Sequence, residues 1–410
     1  MNDRLHAGMR EATRLTRAGR LIDATALLQR VLQGGRDRDS ATSNADAPPT
    51  IDLVPDTVEV TDRVEMAPAG HSRPESTVRA PLASVLGRFV DRVARSGFGP
   101  GPGGLAEPSP ADITVPEGAQ FLSTSFSNQA GSRNYKLYVP SQYRGQPLPL
   151  VVMLHGCTQS ADDFAAGTRM NLHAEEHNCF VVYPEQAASA NISKCWNWFR
   201  PGDQTRGQGE PALIAGITRQ VMSDYSVDEE RIYAAGLSAG GAAAAVLAAA
   251  YPDLYAAIGV HSGLACGAAS DVQSAFAAMR QTQPAARRRS GDNLSGRGKY
   301  SRTVPAIVFH GDQDKTVHPS NGDQVIAQLR EALATDIRVT IEDGRVPGGR
   351  AYTRTVHHDA AGHSIFEQWV IHGASHAWSG GSLAGSYTDP QGPDATKEML
   401  RFFLDHPFSS

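Results

Sequence analysis

The chain predicts an α/β fold, a mainly parallel sheet covered by helices on both faces, preceded by a helical amino-terminal extension and a disordered linker. Three observations predict it. From about residue 115 short apolar runs alternate with helical patterns. The central runs are apolar throughout rather than at every second position, as strands buried on both faces are. A glycine-flanked serine turn, Gly236-Leu237-Ser238-Ala239-Gly240, stands where one such run meets a small-residue helix. With 410 residues, 40% of them hydrophobic, the chain can bury one large core and carry appendages.

Taken in order, Leu15, Leu21, Ala24, Leu27, Leu28 and Val31 fall at helical spacing with a break at Ala18-Gly19, which reads as two short helices within residues 1–35. One such pair cannot bury its own face, and no second copy is present, so it reads as a docking or oligomerisation element. Residues 36–115 are mostly Asp, Ser, Thr, Ala, Pro and Arg and read as disordered linker. Inside that stretch Leu82, Val85, Leu86, Phe89, Val90 and Val93 share one face of an amphipathic helix near 82–95, suited to a partner surface or to packing back on the rest of the chain. Residues 116–406 form the expected catalytic domain. Its strands are Tyr135–Val139, Leu150–Leu154, Cys179–Tyr183, Ile232–Ala235, Ala257–Val260, Ala306–Phe309 and Ile365–Ile371, with helices between most of them. A basic segment from Arg280 to Arg302 reads as a solvated loop, with a lid or an anion-attracting rim as the alternative.

Composition narrows the function classes. A net charge of -5 gives no reason to expect nucleic acid or an anionic membrane as partner. No apolar run reaches the length of a membrane span, and Arg4, Arg10, Arg14, Arg17 and Arg20 interrupt the first residues, so no secretory signal is visible and a cytoplasmic location is expected. Four cysteines in a chain of this size are no disulfide scaffold, and Cys179 reads as a buried thiol.

The serine turn carries the chemistry. In a strand–turn–helix elbow the serine sits on a sharp turn, and the flanking glycines are needed because a Cβ there collides with the neighbouring strand or helix. In a chain with 40 glycines the pentapeptide alone is a weak signal, so its partners decide. A serine hydroxyl needs a base, and the base an orienting acid, which in this kind of elbow come after the serine in the order acid, then histidine. The acid is expected in His310-Gly311-Asp312-Gln313-Asp314, directly after a strand. Asp314 is the choice and Asp312 the competitor, better suited to capping the next helix. The base is expected at His376, after the last strand; His372 continues that strand and reads as structural, and His357, His358 and His363 read as surface in a polar hairpin. Two backbone N–H groups, of Cys157 and Ala239, are the expected donors to an oxyanion. No metal and no organic cofactor enter this scheme.

Several segments together are more specific than any of these alone. They are His155-Gly156-Cys157-Thr158-Gln159, Tyr183-Pro184-Glu185-Gln186, Cys195-Trp196-Asn197-Trp198-Phe199, Gly236-Leu237-Ser238-Ala239-Gly240-Gly241, His261-Ser262-Gly263-Leu264, the Asp314 loop, and Ser375-His376-Ala377-Trp378-Ser379-Gly380-Gly381. On these segments the chain resembles the polyhydroxybutyrate-depolymerase family of serine esterases, from about Gln120 to Phe403. The resemblance implies an α/β-hydrolase domain with Ser238, Asp314 and His376 as its triad and a hydroxyalkanoate-type ester, polymeric or oligomeric, as substrate; a feruloyl- or acetylxylan-type carbohydrate esterase and a granule-associated binding protein on the same fold are the alternatives. It also implies that Cys157 and Cys195 lie close enough to be bridged. Trp196, Trp198 and Trp378 are the candidate substrate contacts, since large aromatics beside a triad form an apolar slot; packing beneath the site loops is the alternative, and is preferred for Phe199. Against the secreted members of that family the chain shows no signal peptide, no appended carboxyl-terminal binding domain, and a helical extension instead. Those helices are read as docking to a partner, a granule surface or another copy of the chain.

Overall fold

A computed structural model describes residues 113, 115–280, 302–331, 333 and 337–408. The helical pair at 1–35, the linker and amphipathic helix before residue 113, and residues 281–301 of the basic segment lie outside the described residues. Ten strands form one sheet: β1 (Gln120–Asn128), β2 (Gly131–Val139), β3 (Leu148–Leu154), β4 (Phe180–Pro184), β5 (Val227–Leu237), β6 (Ala257–His261), β7 (Ala306–Gly311), β8 (Arg338–Arg345), β9 (Ala351–His358) and β10 (Ser364–Ile371). Their order is β1-β2-β4-β3-β5-β6-β7-β10-β9-β8. The six inner strands, β4 to β10 in that order, are parallel, and antiparallel hairpins close both edges.

Residue pattern explains this layout. β3, β4, β6 and β7 are buried at every position, which demands cover on both faces. Within β3, Leu150, Val152 and Leu154 join one core while Val151 and Met153 join the other, as the two-residue period of a strand requires. Helices α3 (Gly209–Asp224) and α4 (Ala239–Ala250) supply Ile214, Ile217, Val221 and the alanines to the first core. The second is filled from α1 (Ala161–Thr168), α2 (Met170–His177) and α7 (Ala395–Leu404) by Phe164, Met170, Met399, Phe402 and Phe403. Two further helices, α5 (Val272–Arg280) and α6 (Ser320–Arg330), flank β7 in the sequence.

Every strand expected from apolar runs is present. The edge strands β1 and β8, and β9 beside β8, were not expected as strands; β1 and β8 are largely exposed and carry no apolar run to betray them. His357, read as surface, is a correction: it lies on β9 and is buried, whereas His363 is exposed in the β9–β10 turn.

Strand register brings the ends of the inner strands level. Leu154 pairs with Gly236, Leu237 with His261, His261 with Phe309, and Gly311 with Ile371, so β3, β5, β6, β7 and β10 end in line. Backbone bonds then lace those ends together: Ser238 N to His261 O (2.8 Å), Ser262 N to Phe309 O (2.9 Å), Asp312 N to Ile371 O (3.1 Å) and Gln313 N to Ala374 O (3.0 Å). In a parallel sheet this carboxyl edge is where reactive loops gather.

Candidate active site

Ser238 sits between β5 and α4 with φ 57° and ψ -116°. For a residue with a Cβ this is a strained, left-handed-side conformation, and it persists only where the surroundings enforce it. They do so here by close approach. A Cβ on Gly236 would run into the backbone of Gly240, and one on Gly240 into the Leu154 carbonyl, so only glycine lets strand, turn and helix approach this closely. The serine therefore stands at the amino end of α4, whose first N–H groups have no partner inside the helix.

Asp314 and His376 meet 2.7 Å apart, Asp314 Oδ2 to His376 Nδ1. Both are buried, at 4% and 7% exposure. The other carboxylate oxygen accepts the Thr316 and Val317 N–H groups (2.8 and 2.9 Å), which fixes the carboxylate plane. His310 completes the shell: its Nε2–H, 2.9 Å from the Val317 carbonyl, lies 3.4 Å from Asp314 Oδ2. Burial pushes the Asp314 carboxyl up, but the charge of His376 and hydrogen bonds from His310 and His376 outweigh it and hold it well below the usual carboxylate range. His310 was not singled out from sequence; a histidine at the end of a buried strand, four residues before the acid, was the available signal. Among the described residues Asp314 and His376 are hydrogen-bonded to each other, and Ser238 Oγ makes no hydrogen bond.

Asp312 does something else. It accepts from His372 Nδ1 (3.0 Å) and the Gly373 N–H (2.8 Å), pinning the end of β10, and it caps no helix. His372 is structural in the same arrangement, with Nε2 3.0 Å from Thr353 Oγ1.

The turn after β3 faces the serine elbow. Gly156 N donates to Gln159 Oε1 (2.8 Å) and Thr158 N to the Ser193 carbonyl (2.7 Å), while among the described residues the Cys157 and Ala239 N–H groups have no acceptor. Thr158 is held at φ 67°, an unusual conformation for a β-branched residue, and its hydroxyl lies 3.1 Å from that of Tyr387. Cys157 is joined to Cys195 by a disulfide, with Cα atoms 4.2 Å apart. Two amides without an acceptor among the described residues, one in the turn after β3 and one directly after Ser238, can receive a developing negative charge.

Comparison with known proteins fits this geometry. The family profile described as Esterase PHB depolymerase matches residues 133–342. The chain belongs to that family. Among its relatives, poly(3-hydroxyalkanoate) depolymerase C of Paucimonas lemoignei is 34% identical over 275 residues, 65% of this chain and 64% of that protein. Feruloyl esterase B of Thermothelomyces thermophilus is 30% identical over 233 residues, 55% of this chain and 79% of that one. The match thus spans a little under two thirds of the depolymerase and most of the feruloyl esterase. An acetyl xylan esterase structure from Aspergillus awamori superposes with a TM-score of 0.54 at 20% identity, covering 70% of this chain and 99% of that one, which shows a shared α/β-hydrolase fold.

In this member of the PHB-depolymerase family Trp196 and Trp378 are buried, at 0% and 1% exposure, and Trp198 keeps 7%, as much as His376. Trp196 Nε1 donates to the His155 carbonyl (3.1 Å), and Trp378 Nε1 to Thr396 Oγ1 (2.9 Å) while its ring stacks on His261 and meets Phe164 edge-on. Their indole N–H groups are spent on the protein itself, so they brace the loops that carry Cys157 and His376. Among the described residues no group of three His, Cys, Asp or Glu side chains is placed to hold a metal ion, and no helix is long and apolar enough to cross a membrane.

Two further histidines serve the scaffold as neutral groups. His155 Nε2 accepts the Gln186 N–H and His261 Nε2 the Ser379 N–H, both at 3.0 Å, so the acceptor nitrogens must carry no proton. Burial holds both rings below the ordinary imidazole value, and for His261 the charges of His310 and His376 push further, against the opposing pull of Asp314. Their native values being depressed, the stability they contribute is present above the unfolded value of about 6.5 and is lost as pH falls below it, by up to about 1.4 kcal/mol per pH unit for each ring. Thermal midpoints are therefore expected to drop between pH 7 and pH 5. A His261→Gln variant should start lower but fall less steeply; parallel slopes would rule out His261 as a source of the effect.

Proposed function

We propose that the chain is a carboxylic-ester hydrolase that works through an acyl-enzyme on Ser238. The observation that carries this reading is the Asp314–His376 hydrogen bond on the same carboxyl edge as the strained Ser238 elbow. His376 takes the Ser238 proton as the hydroxyl attacks the ester carbonyl. Asp314 holds the ring with Nδ1–H toward the carboxylate, which leaves Nε2 for the serine, and stabilises the imidazolium. The Cys157 and Ala239 N–H groups receive the oxyanion. His376 then returns the proton to the leaving alcohol, and water repeats the sequence to release the acid.

Hydroxyalkanoate esters, as polymer or oligomer, are the proposed substrates, on the strength of the 34% identity to a poly(3-hydroxyalkanoate) depolymerase. A carbohydrate esterase of the feruloyl or acetylxylan kind is the second reading, supported by a match that spans 79% of a feruloyl esterase against 64% of the depolymerase. To the first reading belongs a docking role for the amino-terminal helices, toward a partner, a granule surface or a second copy, resting on the amphipathic pattern from Leu82 to Val93. A panel of hydroxybutyrate oligomers, feruloyl and acetyl sugars and aminoacyl amides, each run beside Ser238→Ala, tests the substrate class. The highest kcat/KM is expected on the hydroxybutyrate oligomers; a preference of more than about tenfold, or 1.4 kcal/mol in transition-state binding, for a feruloyl or acetyl sugar would move the chain to the second reading.

A further inference from the structure

Glu210, in the first turn of α3, is a buried carboxylate that takes no part in the proton transfers of the ester reaction. Its Oε1 accepts from Gln186 Nε2 and from Asn197 Nδ2 (2.6 Å), its Oε2 accepts the Asn197 backbone N–H (2.6 Å), and the Arg133 guanidinium lies 3.6 Å from Oε1. Both amide residues pass the constraint on. Gln186 Nε2 also donates to the Cys195 carbonyl (2.9 Å), and the Gln186 backbone N–H donates to His155 Nε2 (3.0 Å). Asn197 comes directly after Trp196, whose indole donates to the His155 carbonyl (3.1 Å), and Cys195 is bridged to Cys157. These paths from Glu210 end on His155 or Cys157, the two ends of the turn that presents the Cys157 N–H.

We infer that Glu210 is a positioning residue for the oxyanion turn: through Gln186, Asn197 and the Cys195–Cys157 bridge it fixes the direction of the Cys157 N–H. A carboxylate is costly to bury unless its lone pairs are used, and an apolar side chain would fill the same space without that cost. What only a carboxylate does here is accept three N–H groups at once and set their angles. The inference rests on the proposed role of Cys157 as an oxyanion donor. An amide that points away from the transition-state oxygen binds substrate as before but stabilises the tetrahedral state less, so the loss belongs in kcat.

The test uses the full chain with Glu210→Gln and Gln186→Met, whose side chain keeps the length and removes the amide donors. Turnover of p-nitrophenyl butyrate and inhibition by an aryl trifluoromethyl ketone, which forms a tetrahedral adduct, are measured together. For both variants kcat is expected to fall about 10- to 100-fold with KM within about twofold, and the ketone to weaken by the same factor as kcat/KM. Unchanged kcat, a loss carried by KM, or a loss of kcat with full ketone affinity would each overturn the inference. If Glu210→Gln does not fold, by circular dichroism, Gln186→Met alone decides by the same criteria. Failure of the underlying reading shows separately, as residual turnover in Ser238→Ala; failure of the Glu210 inference shows in an enzyme that Ser238→Ala still silences.

Discussion

Replacing Ser238 by alanine is expected to lower kcat on short-chain aryl esters about 10⁶-fold, with the circular-dichroism spectrum and thermal midpoint unchanged. The size comes from the unit the serine belongs to: without the hydroxyl His376 has no serine proton to take and Asp314 no imidazolium to stabilise, and only the oxyanion donors and substrate binding remain, which together retain about 10³-fold over water. The fold should tolerate the change because the demand at this position is on backbone conformation. Alanine has the same Cβ at φ 57°, and the fit of the elbow depends on Gly236 and Gly240, which stay. Undiminished turnover by a folded Ser238→Ala protein would remove the serine from the mechanism.

Asp314→Asn is expected to cost about 10⁴-fold in kcat, while Asp312→Asn stays within a few-fold of the parent. An asparagine at 314 can keep the accepting oxygen on Thr316 and Val317, but its amide then faces His376 Nδ1 and favours the wrong tautomer, with the proton on the nitrogen that should accept from Ser238. The charge that stabilises the imidazolium is lost as well. Asp312 is bonded to His372 and Gly373 at the partly exposed end of β10, so its substitution reads out as local stability. Equal losses from the two variants, or the larger loss from Asp312, would reassign the acid. A pH effect accompanies the first substitution. Because the Asp314 carboxyl is held below its ordinary value in the folded protein, the stability of its pairing is present above about pH 4 and is lost as pH falls through the depressed native value; the asparagine variant should lack this part of the acid transition.

The fold was legible where burial is two-sided. Runs such as Leu150–Leu154 and Ala306–Phe309 are apolar at every position because helices cover both faces, and that signal needs no partner strand to be read. The edge strands β1 and β8 carry polar, half-exposed sequences whose pairing depends on neighbours far along the chain, so nothing local announces them. Ser238, Asp314 and His376 could be named because each comes after a strand in an order set by the connectivity of such sheets, and the structure brings Asp314 and His376 into contact.

Side-chain environment was not legible in the same way. Trp196 and Trp378 flank site residues in sequence, yet their indoles turn inward, because burying a large ring with its N–H satisfied is strongly favourable and a loop near a site has two sides. Glu210 was missed because its partners Gln186 and Asn197 stand in another loop of the chain, and a single sequence does not show such contacts. His310 differs: it lies only four residues before Asp314 at the end of a buried strand, a local signal that was passed over.

The most direct test of the central claim is the intact mass of the protein after exposure to diethyl p-nitrophenyl phosphate, with peptide mapping of the adduct. One diethylphosphoryl group on the peptide that contains Ser238, gained in step with loss of esterase activity and absent from Ser238→Ala, is the predicted result. An adduct on any other residue, or full activity in protein whose Ser238 is modified, would contradict it.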